Sequence, residues 1–170
     1  MTSATTPAVG SILIAGVGNI FLGDDGFGVE VARRMAVRAL PDRVRVRDFG
    51  IRGFDLAYAL TDEHDAVILV DATRRGEPPG TLCALELDTE GRTAGAVETH
   101  GMDPANVLRL VAALGGRPRR VLLVGCEPSA IDPETEDLTG LSAPVESSVE
   151  PAVELVLSLV TRIREETGVA

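Results

Sequence analysis

Two carboxylates and one imidazole are the groups in this sequence whose types and positions could do metal chemistry. Asp25 follows Asp24 in the glycine-rich segment 16–28, Asp71 ends the apolar run AVILVD, and His100 lies in ETHGMDP. Such a set suits a divalent transition metal with open coordination positions. In a doubly wound sheet, ligands bind at the carboxyl ends of parallel strands. Asp25 and Asp71 would therefore share one crevice if the first and third strands are neighbours.

The glycine-rich segment 16–28 (GVGNIFLGDDGFG) fits neither common nucleotide-binding pattern. A dinucleotide fingerprint would need a third glycine at position 21, where Phe21 stands, and no Gly-Lys-Ser/Thr of a P-loop follows. Two acids at the start of a helix would repel a phosphate and suit a cation. The structural alternative is that Asp24 or Asp25 caps the helix, since acids are favoured at helix N-termini.

Each remaining candidate also has a structural interpretation. Asp71 could cap the turn that follows its strand, and both His64 and His100 could be solvated loop residues. Cys83 and Cys126 lie 43 residues apart in apolar runs, which predicts two buried thiols rather than a disulfide framework. A nucleophilic pair of Cys126 and His100 is conceivable, but burial explains Cys126 better.

The elements that would position these groups alternate between apolar strands and amphipathic helices. The predicted strands are 11–16, 44–49, 66–71, 81–87 and 120–126, and the predicted helices are 24–40, 54–60, 104–114 and 147–166. The last helix would begin with a capping box formed by Ser147 and Glu150. Residues 88–102 and 127–145 are predicted to be mostly loop.

The connection between the third and fourth strands sets the direction of the fourth. Only ATRRGEPPG separates them, and a parallel crossover needs a dozen or more residues. We therefore expect strand four to run antiparallel to strand three. The pattern predicts a three-layer α/β/α sandwich around a five-stranded, mostly parallel sheet, of the phosphorylase/hydrolase-like kind. A short flexible N-terminus, 1–10, would precede a single domain, 11–170.

Composition argues against nucleic acid and membrane partners. The net charge is −10, and the arginines are scattered rather than clustered on one predicted face. An acidic surface would be repelled by anionic lipids, and no apolar run approaches the roughly 20 residues of a membrane span. The first ten residues lack the basic region of a signal peptide. We expect a cytoplasmic protein.

Five motifs, in order, resemble those of the hydrogenase maturation endopeptidases. They extend over most of the chain, from Ile12 to about Ile163, and the first of them is specific to that family. The motifs are GVGNIFLGDDGFG (16–28), DFGIRGFDL (48–56), AVILVDA (66–72), THGMDP (99–104) and VGCEP (124–128). The sequence departs from the family where Phe49 precedes Gly50, and where Cys126 occupies a position that is usually apolar.

The resemblance implies a fold like the one above and a specific role for the acids. Asp25, Asp71 and His100 would contact nickel, and Asp48 would be a helper near the cleft. The protease would remove the C-terminal extension of a NiFe hydrogenase large-subunit precursor after nickel insertion. The nickel would belong to that precursor and signal that it is ready, which explains why the chain carries no recognisable nucleophile. A monomer is expected, because a maturation factor binds its client briefly.

Two other functions stay open on the sequence. A non-catalytic, nickel-recognising maturation chaperone would use the same three residues on the same client. A nucleotide-binding oxidoreductase would bind nicotinamide, and Phe21 weakens this interpretation. If the chain is a protease, the metal could polarise the scissile carbonyl or activate water. Alternatively, it could only position the peptide while a cleft carboxylate acts as base.

Overall fold

The computed structural model describes residues 11–89, 103–130 and 139–168. The predicted N-terminal segment 1–10 lies outside these residues. The strands are β1 (Ile12–Val17), β2 (Val44–Gly50), β3 (Ala66–Ala72), β4 (Leu82–Leu87) and β5 (Val121–Cys126). The helices are α1 (Phe27–Ala36), α2 (Gly53–Ala59), α3 (Pro104–Ala113) and α4 (Ala143–Glu166), and a 3₁₀ turn at Gly23–Gly26 precedes α1.

The five strands form one sheet in the order β2-β1-β3-β5-β4. The first four in that order are parallel, and β4 is antiparallel to β5 at the edge of the sheet. The predicted sandwich and the reversed fourth strand are confirmed. Because β1 and β3 are neighbours, the carboxyl ends of these two strands meet at the same edge, as the candidate site requires.

Helices cover both faces of the sheet, and each face has its own apolar core. One core packs α1 and α4 against side chains such as Ile14 and Ile68, and the other packs α2 and α3 against Leu13 and Leu69. Strands β1, β3 and β5 are buried along their whole length. This explains their continuous apolar runs, since a strand covered on both faces has no polar side.

Helix α1 is shorter at both ends than the predicted helix 24–40. It begins at Phe27, after the 3₁₀ turn, and its N-cap residue is Gly26 rather than Asp24 or Asp25. It ends at Ala36, well before Pro41. Proline disfavours helical backbone only in the residue before it, Leu40, so Pro41 does not account for an end at Ala36.

Helix α4 begins earlier than predicted, at Ala143 rather than Ser147. Its N-cap residue is Ser142, and the proline in its first turn is favoured there because that position needs no N–H donor. Ser147 and Glu150 therefore lie inside the helix, and the predicted capping box is wrong. Glu150 instead forms an ion pair with Arg38, just after the end of α1.

Among the residues that the structure describes, no helix combines the length and the apolar composition needed to cross a membrane.

Candidate functional site

The Asp71 carboxyl group is the most unusual polar group in the described part of the chain. It lies near the carboxyl end of β3 and is 2% exposed, and its Oδ1 has no hydrogen-bond partner among the described residues. Burial raises the pKa of Asp71 well above its ordinary value, and the charge of Asp25 raises it further. The N–H of Ala72 opposes the shift by donating to the carboxylate. A buried, incompletely bonded carboxylate such as this needs either a proton or a cation.

Close backbone packing brings the start of α1 to this edge of the sheet. A Cβ added to Gly28 would lie 1.9 Å from the carbonyl oxygen of Val70, and one added to Gly16 would lie 2.4 Å from the oxygen of Gly28. Only glycine fits at either position. The two glycines therefore let the 3₁₀ turn that carries Asp25 lie against β1 and β3, beside Asp71.

The two adjacent acids have different environments. Asp24 accepts hydrogen bonds from the backbone N–H of Ser129 (2.9 Å), the backbone N–H of Ser142 (2.7 Å) and the Ser142 hydroxyl (2.8 Å). These bonds tie the start of α4 to the 3₁₀ turn. Asp25 accepts the backbone N–H of Asn19 at 2.9 Å. Asp24 therefore has a structural role, though not the predicted one of capping α1, and Asp25 is the acid that faces Asp71.

Asp48 lies near the end of β2, but on the other face of the sheet from Asp71. Its cross-strand neighbour is Gly16, on the face covered by α1, and its side chain lies 3.9 Å from the guanidinium of Arg33. Phe49, the residue at which the sequence departs from the family pattern, forms a β-bulge. Gly16 of β1 pairs with Asp48, and the next residue, Val17, pairs with Gly50, so Phe49 has no partner in β1. Phe49 is fully buried.

The third predicted ligand, His100, lies outside the described residues. Within the described residues, no group of three His, Cys, Asp or Glu side chains could hold a metal ion. The nearest described segment after His100 is the start of α3. Pro104 lines a small, mostly apolar cavity of about 10 Å³ together with Asp71, so α3 begins beside the buried carboxyl group.

The two thiols differ in environment. Cys126 is fully buried in the core beneath α4, and burial raises its pKa to about 11. Its predicted structural role is confirmed. Cys83 is only half-buried, contrary to the prediction, because β4 is an edge strand with one side open.

Comparison with known proteins identifies the family. The family model for hydrogenase maturation proteases (HycI) matches residues 29–159. The chain belongs to the hydrogenase maturation protease family. Family membership makes it a protease.

Relatives in this family align over most of the chain. The hydrogenase expression/formation protein HupM of Azotobacter chroococcum mcd 1 is 38% identical over 152 residues, covering 87% of this chain and 70% of the relative. The hydrogenase 2 maturation protease of Escherichia coli (strain K12) is 33% identical over 150 residues, covering 86% and 88%. The solved structure of the hydrogenase maturating endopeptidase HybD from E. coli has a TM-score of 0.74 at 32% identity, covering 89% and 93%.

Proposed function

We propose that this protein is the endopeptidase that removes the C-terminal extension of a NiFe hydrogenase large-subunit precursor once the precursor holds nickel. Membership of the hydrogenase maturation protease family supports the reaction class. The observation that carries the proposal is the buried Asp71 carboxyl group, which lies beside Asp25 and has one oxygen without a donor in the described part of the chain.

In this proposal, Asp25, Asp71 and His100 contact the nickel of the bound precursor. A divalent cation between the two carboxyl groups would replace the proton on Asp71 and offset the repulsion from Asp25. His100 is four residues before Pro104, which lines a cavity with Asp71. Four extended residues span at most about 14 Å, so chain length allows the imidazole to reach the acids.

Two mechanisms fit these residues. Nickel could polarise the scissile carbonyl or activate a water molecule. Alternatively, nickel could only hold the peptide in place while a carboxylate in the cleft takes the proton from water. In both mechanisms Asp25 and Asp71 act together, so loss of either acid should stop cleavage.

The surface around the carboxyl ends of β1 and β2 suits a protein client. It contains a groove of about 310 Å³ that Asp48 helps to line. Exposed large apolar side chains lie on the loops after these two strands and on α2: Ile20, Phe21, Leu22, Ile51, Phe54 and Tyr58. Exposed apolar residues grouped in this way are typical of interaction sites. Asp48 would help to position the client there and would not contact nickel.

The deciding experiment is the intact mass of a nickel-loaded large-subunit precursor, taken from the same genome, before and after incubation with the protein. We expect loss of a C-terminal peptide, and no loss from nickel-free precursor. Stable binding without any loss of mass would contradict the proposal and favour the maturation chaperone.

The same assay tests the assignment of residues. Asp25→Asn, Asp71→Asn and His100→Ala should each slow processing by about a hundredfold or more, because a misplaced reacting group costs at least that much. The exposed Asp62 provides a matched control, and Asp62→Asn should process normally. Processing at the normal rate by any of the three variants would remove that residue from the proposed site.

We also propose that the protein acts as a monomer in the cytoplasm. Sedimentation velocity should then give a mass near 17.8 kDa. A stable dimer at low concentration would contradict the first part, and recovery of the protein from the membrane or secreted fraction would contradict the second.

A further inference from the structure

Cys83 is a free, half-buried thiol that lines a cavity of about 300 Å³ beside the edge strand β4. It pairs with Gly125 of β5, so its side chain lies on the face of the sheet that carries Asp71, which also pairs with Gly125. Cys126 is the next residue of β5, and its thiol therefore lies on the opposite face. Because the two thiols are on different faces, a disulfide at Cys83 needs a second molecule as its partner.

Thr73 is a buried polar residue in the wall of the same cavity. It is 1% exposed, and its hydroxyl has no hydrogen-bond partner among the described residues. A Cβ added to Gly125 would lie 2.7 Å from that hydroxyl and 2.9 Å from the Cys83 sulfur. The absence of a side chain at Gly125 therefore lets the hydroxyl and the sulfur lie close together. A polar group attached to the sulfur would be within reach of the hydroxyl.

Glu127 adds a mostly buried carboxylate to this wall. It is 7% exposed, and its Oε2 accepts the backbone N–H of Arg75 at 2.6 Å. It follows Gly125 by two residues, and its own N–H continues the pairing with the chain before β4, so its side chain shares the face of Cys83. In the described part of the chain it forms no ion pair. A cation beside Cys83 would offset the cost of removing this carboxylate from water.

The charges around the cavity indicate what kind of molecule Cys83 could carry. Arg75 brings one exposed guanidinium, which has no ion-pair partner within the described ranges, and Glu77 and Glu127 bring two carboxylates. A purely anionic molecule would meet a net negative wall. A molecule with an ammonium and a carboxylate would find an opposite charge for each. The α-amino-acid group of cysteine carries both charges close to its sulfur, and the cavity has the volume of a small-ligand site.

We propose that Cys83 is a site of reversible thiolation by a low-molecular-weight thiol that carries an α-amino-acid group, such as cysteine. The Cys83 thiol gives up its proton, and its sulfur attacks one sulfur of the small disulfide. The S–S bond of the small disulfide breaks, and a new S–S bond joins one half to Cys83. The other half leaves as a thiol that carries the proton. Cys83 is oxidised and the leaving half is reduced, so no other oxidant is needed.

The charged groups of the attached half would hold it in the cavity. Its ammonium would donate to the Glu127 carboxylate and the Thr73 hydroxyl, and its carboxylate would face Arg75. Because exchange is reversible, the occupancy of Cys83 would follow the ratio of small disulfide to small thiol around the protein. The adduct would lie one strand away from Asp71.

The first test is the equilibrium constant of thiol–disulfide exchange at Cys83, measured by intact mass with peptide mapping. The disulfides are cystine, cystamine, which has only ammonium groups, 3,3′-dithiodipropionate, which has only carboxylates, and the neutral bis(2-hydroxyethyl) disulfide. Each constant is divided by that of the free thiol N-acetylcysteine amide, which corrects for the reactivity of the disulfide itself. One charge-assisted hydrogen bond strengthens binding by about tenfold or more, so cystine and cystamine should exceed the neutral disulfide by that factor. Dithiodipropionate should fall below it.

Equal normalised constants for cystine and the neutral disulfide would overturn the proposal, and so would an adduct on Cys126 rather than Cys83. Cys83→Ser should take up no half-cystine.

Two variants test the wall of the cavity. Glu127→Gln should lower the constant for cystine by about tenfold and leave that for the neutral disulfide unchanged. Its glutamine can still accept the N–H of Arg75, and an unchanged urea midpoint would show that the fold is kept. Arg75→Gln changes an exposed side chain, and it should lower the constant for cystine but not for cystamine. Glu63→Gln, which neutralises an exposed acid elsewhere, is the matched control. Constants for cystine that neither Glu127→Gln nor Arg75→Gln lowers would overturn the proposed contacts.

This inference does not depend on the proposed function, because the exchange assay measures a thiol and not cleavage. Selective thiolation of Cys83 in a protein that cleaves no nickel-loaded precursor would leave the thiolation site standing and reject the protease. Cleavage of precursor by a protein whose Cys83 shows no preference for cystine would do the reverse.

Discussion

Replacing Asp71 with asparagine should change how the stability of the protein depends on pH. The raised pKa means that the folded protein keeps a proton on Asp71 at pH values where the unfolded chain has released it. The stability contributed by this group is therefore complete below its ordinary pKa of 3.8 and is lost as the pH rises through the folded value. Asparagine does not titrate, so the free energy of unfolding of Asp71→Asn should not fall with pH in this way.

The size of the effect follows from proton linkage. Between the unfolded and the folded pKa, one additional proton is bound by the folded state. The free energy of unfolding then falls by about 1.4 kcal/mol for each pH unit in that window, relative to the variant. The charge of Asp25 is the second cause of the raised pKa of Asp71. Asp25→Asn should therefore lower the folded-state pKa of Asp71 and narrow the pH range over which the free energy of unfolding falls.

Urea unfolding followed by circular dichroism is the suitable assay, since the protein contains no tryptophan. Free energies should be measured in steps of one unit from about pH 4 to about pH 8. The difference between Asp71→Asn and the unsubstituted protein should grow with pH and then level off, and the exposed-site control Asp62→Asn should follow the unsubstituted protein. Parallel pH profiles for Asp71→Asn and the unsubstituted protein would refute the inference that burial and the charge of Asp25 raise the pKa of Asp71.

Three further predictions concern the parts of the fold that hold the site. Gly28→Ala should destabilise the protein by more than about 2 kcal/mol in urea unfolding, although alanine is the better helix former, because its Cβ would clash with the Val70 carbonyl. Asp24→Ala should cost about 2–4 kcal/mol, because it leaves two donors of Ser142, at the start of α4, and the N–H of Ser129, after β5, without their acceptor; an unchanged midpoint would contradict this. In the native protein at pH 8, a thiol reagent should label Cys83 and leave Cys126 unlabelled, since burial raises the pKa of the Cys126 thiol to about 11; equal labelling rates would contradict this.

Much of the fold was predictable because its signals are local. Continuous apolar runs mark β1, β3 and β5, and the structure places each predicted strand boundary within one residue. The nine-residue connection ATRRGEPPG was enough to reverse β4, since no parallel crossover is that short. The predicted first residues of α1 and α4 were wrong, because the signals that set them are not local. The 3₁₀ turn before α1 and the N-cap residue of α4 are joined by hydrogen bonds that Asp24 accepts from Ser129 and Ser142, more than 100 residues away in the chain.

The candidate site was also partly predictable from the sequence and partly dependent on the tertiary structure. Residue types and motif order were sufficient to choose Asp25, Asp71 and His100 as candidates, and His100 lies outside the described residues. Spacing alone left open which of the adjacent acids is structural, although the resemblance to the family chose Asp25 as the ligand. The structure decides this, because the hydrogen bonds of Asp24 hold it against Ser142, and the charge of Asp25 acts on Asp71.

The sequence by itself determined the order of the elements, the direction of β4 and the family to which the chain belongs. Each of these depends on apolar periodicity, connection length or motif spacing, and such signals act over a few residues. Only the tertiary structure decided that β4 pairs with β5, that Asp48 lies on the opposite face from Asp71, and that Thr73 and Glu127 share a cavity. These features arise from strand pairing and burial between distant segments, and no local pattern encodes them.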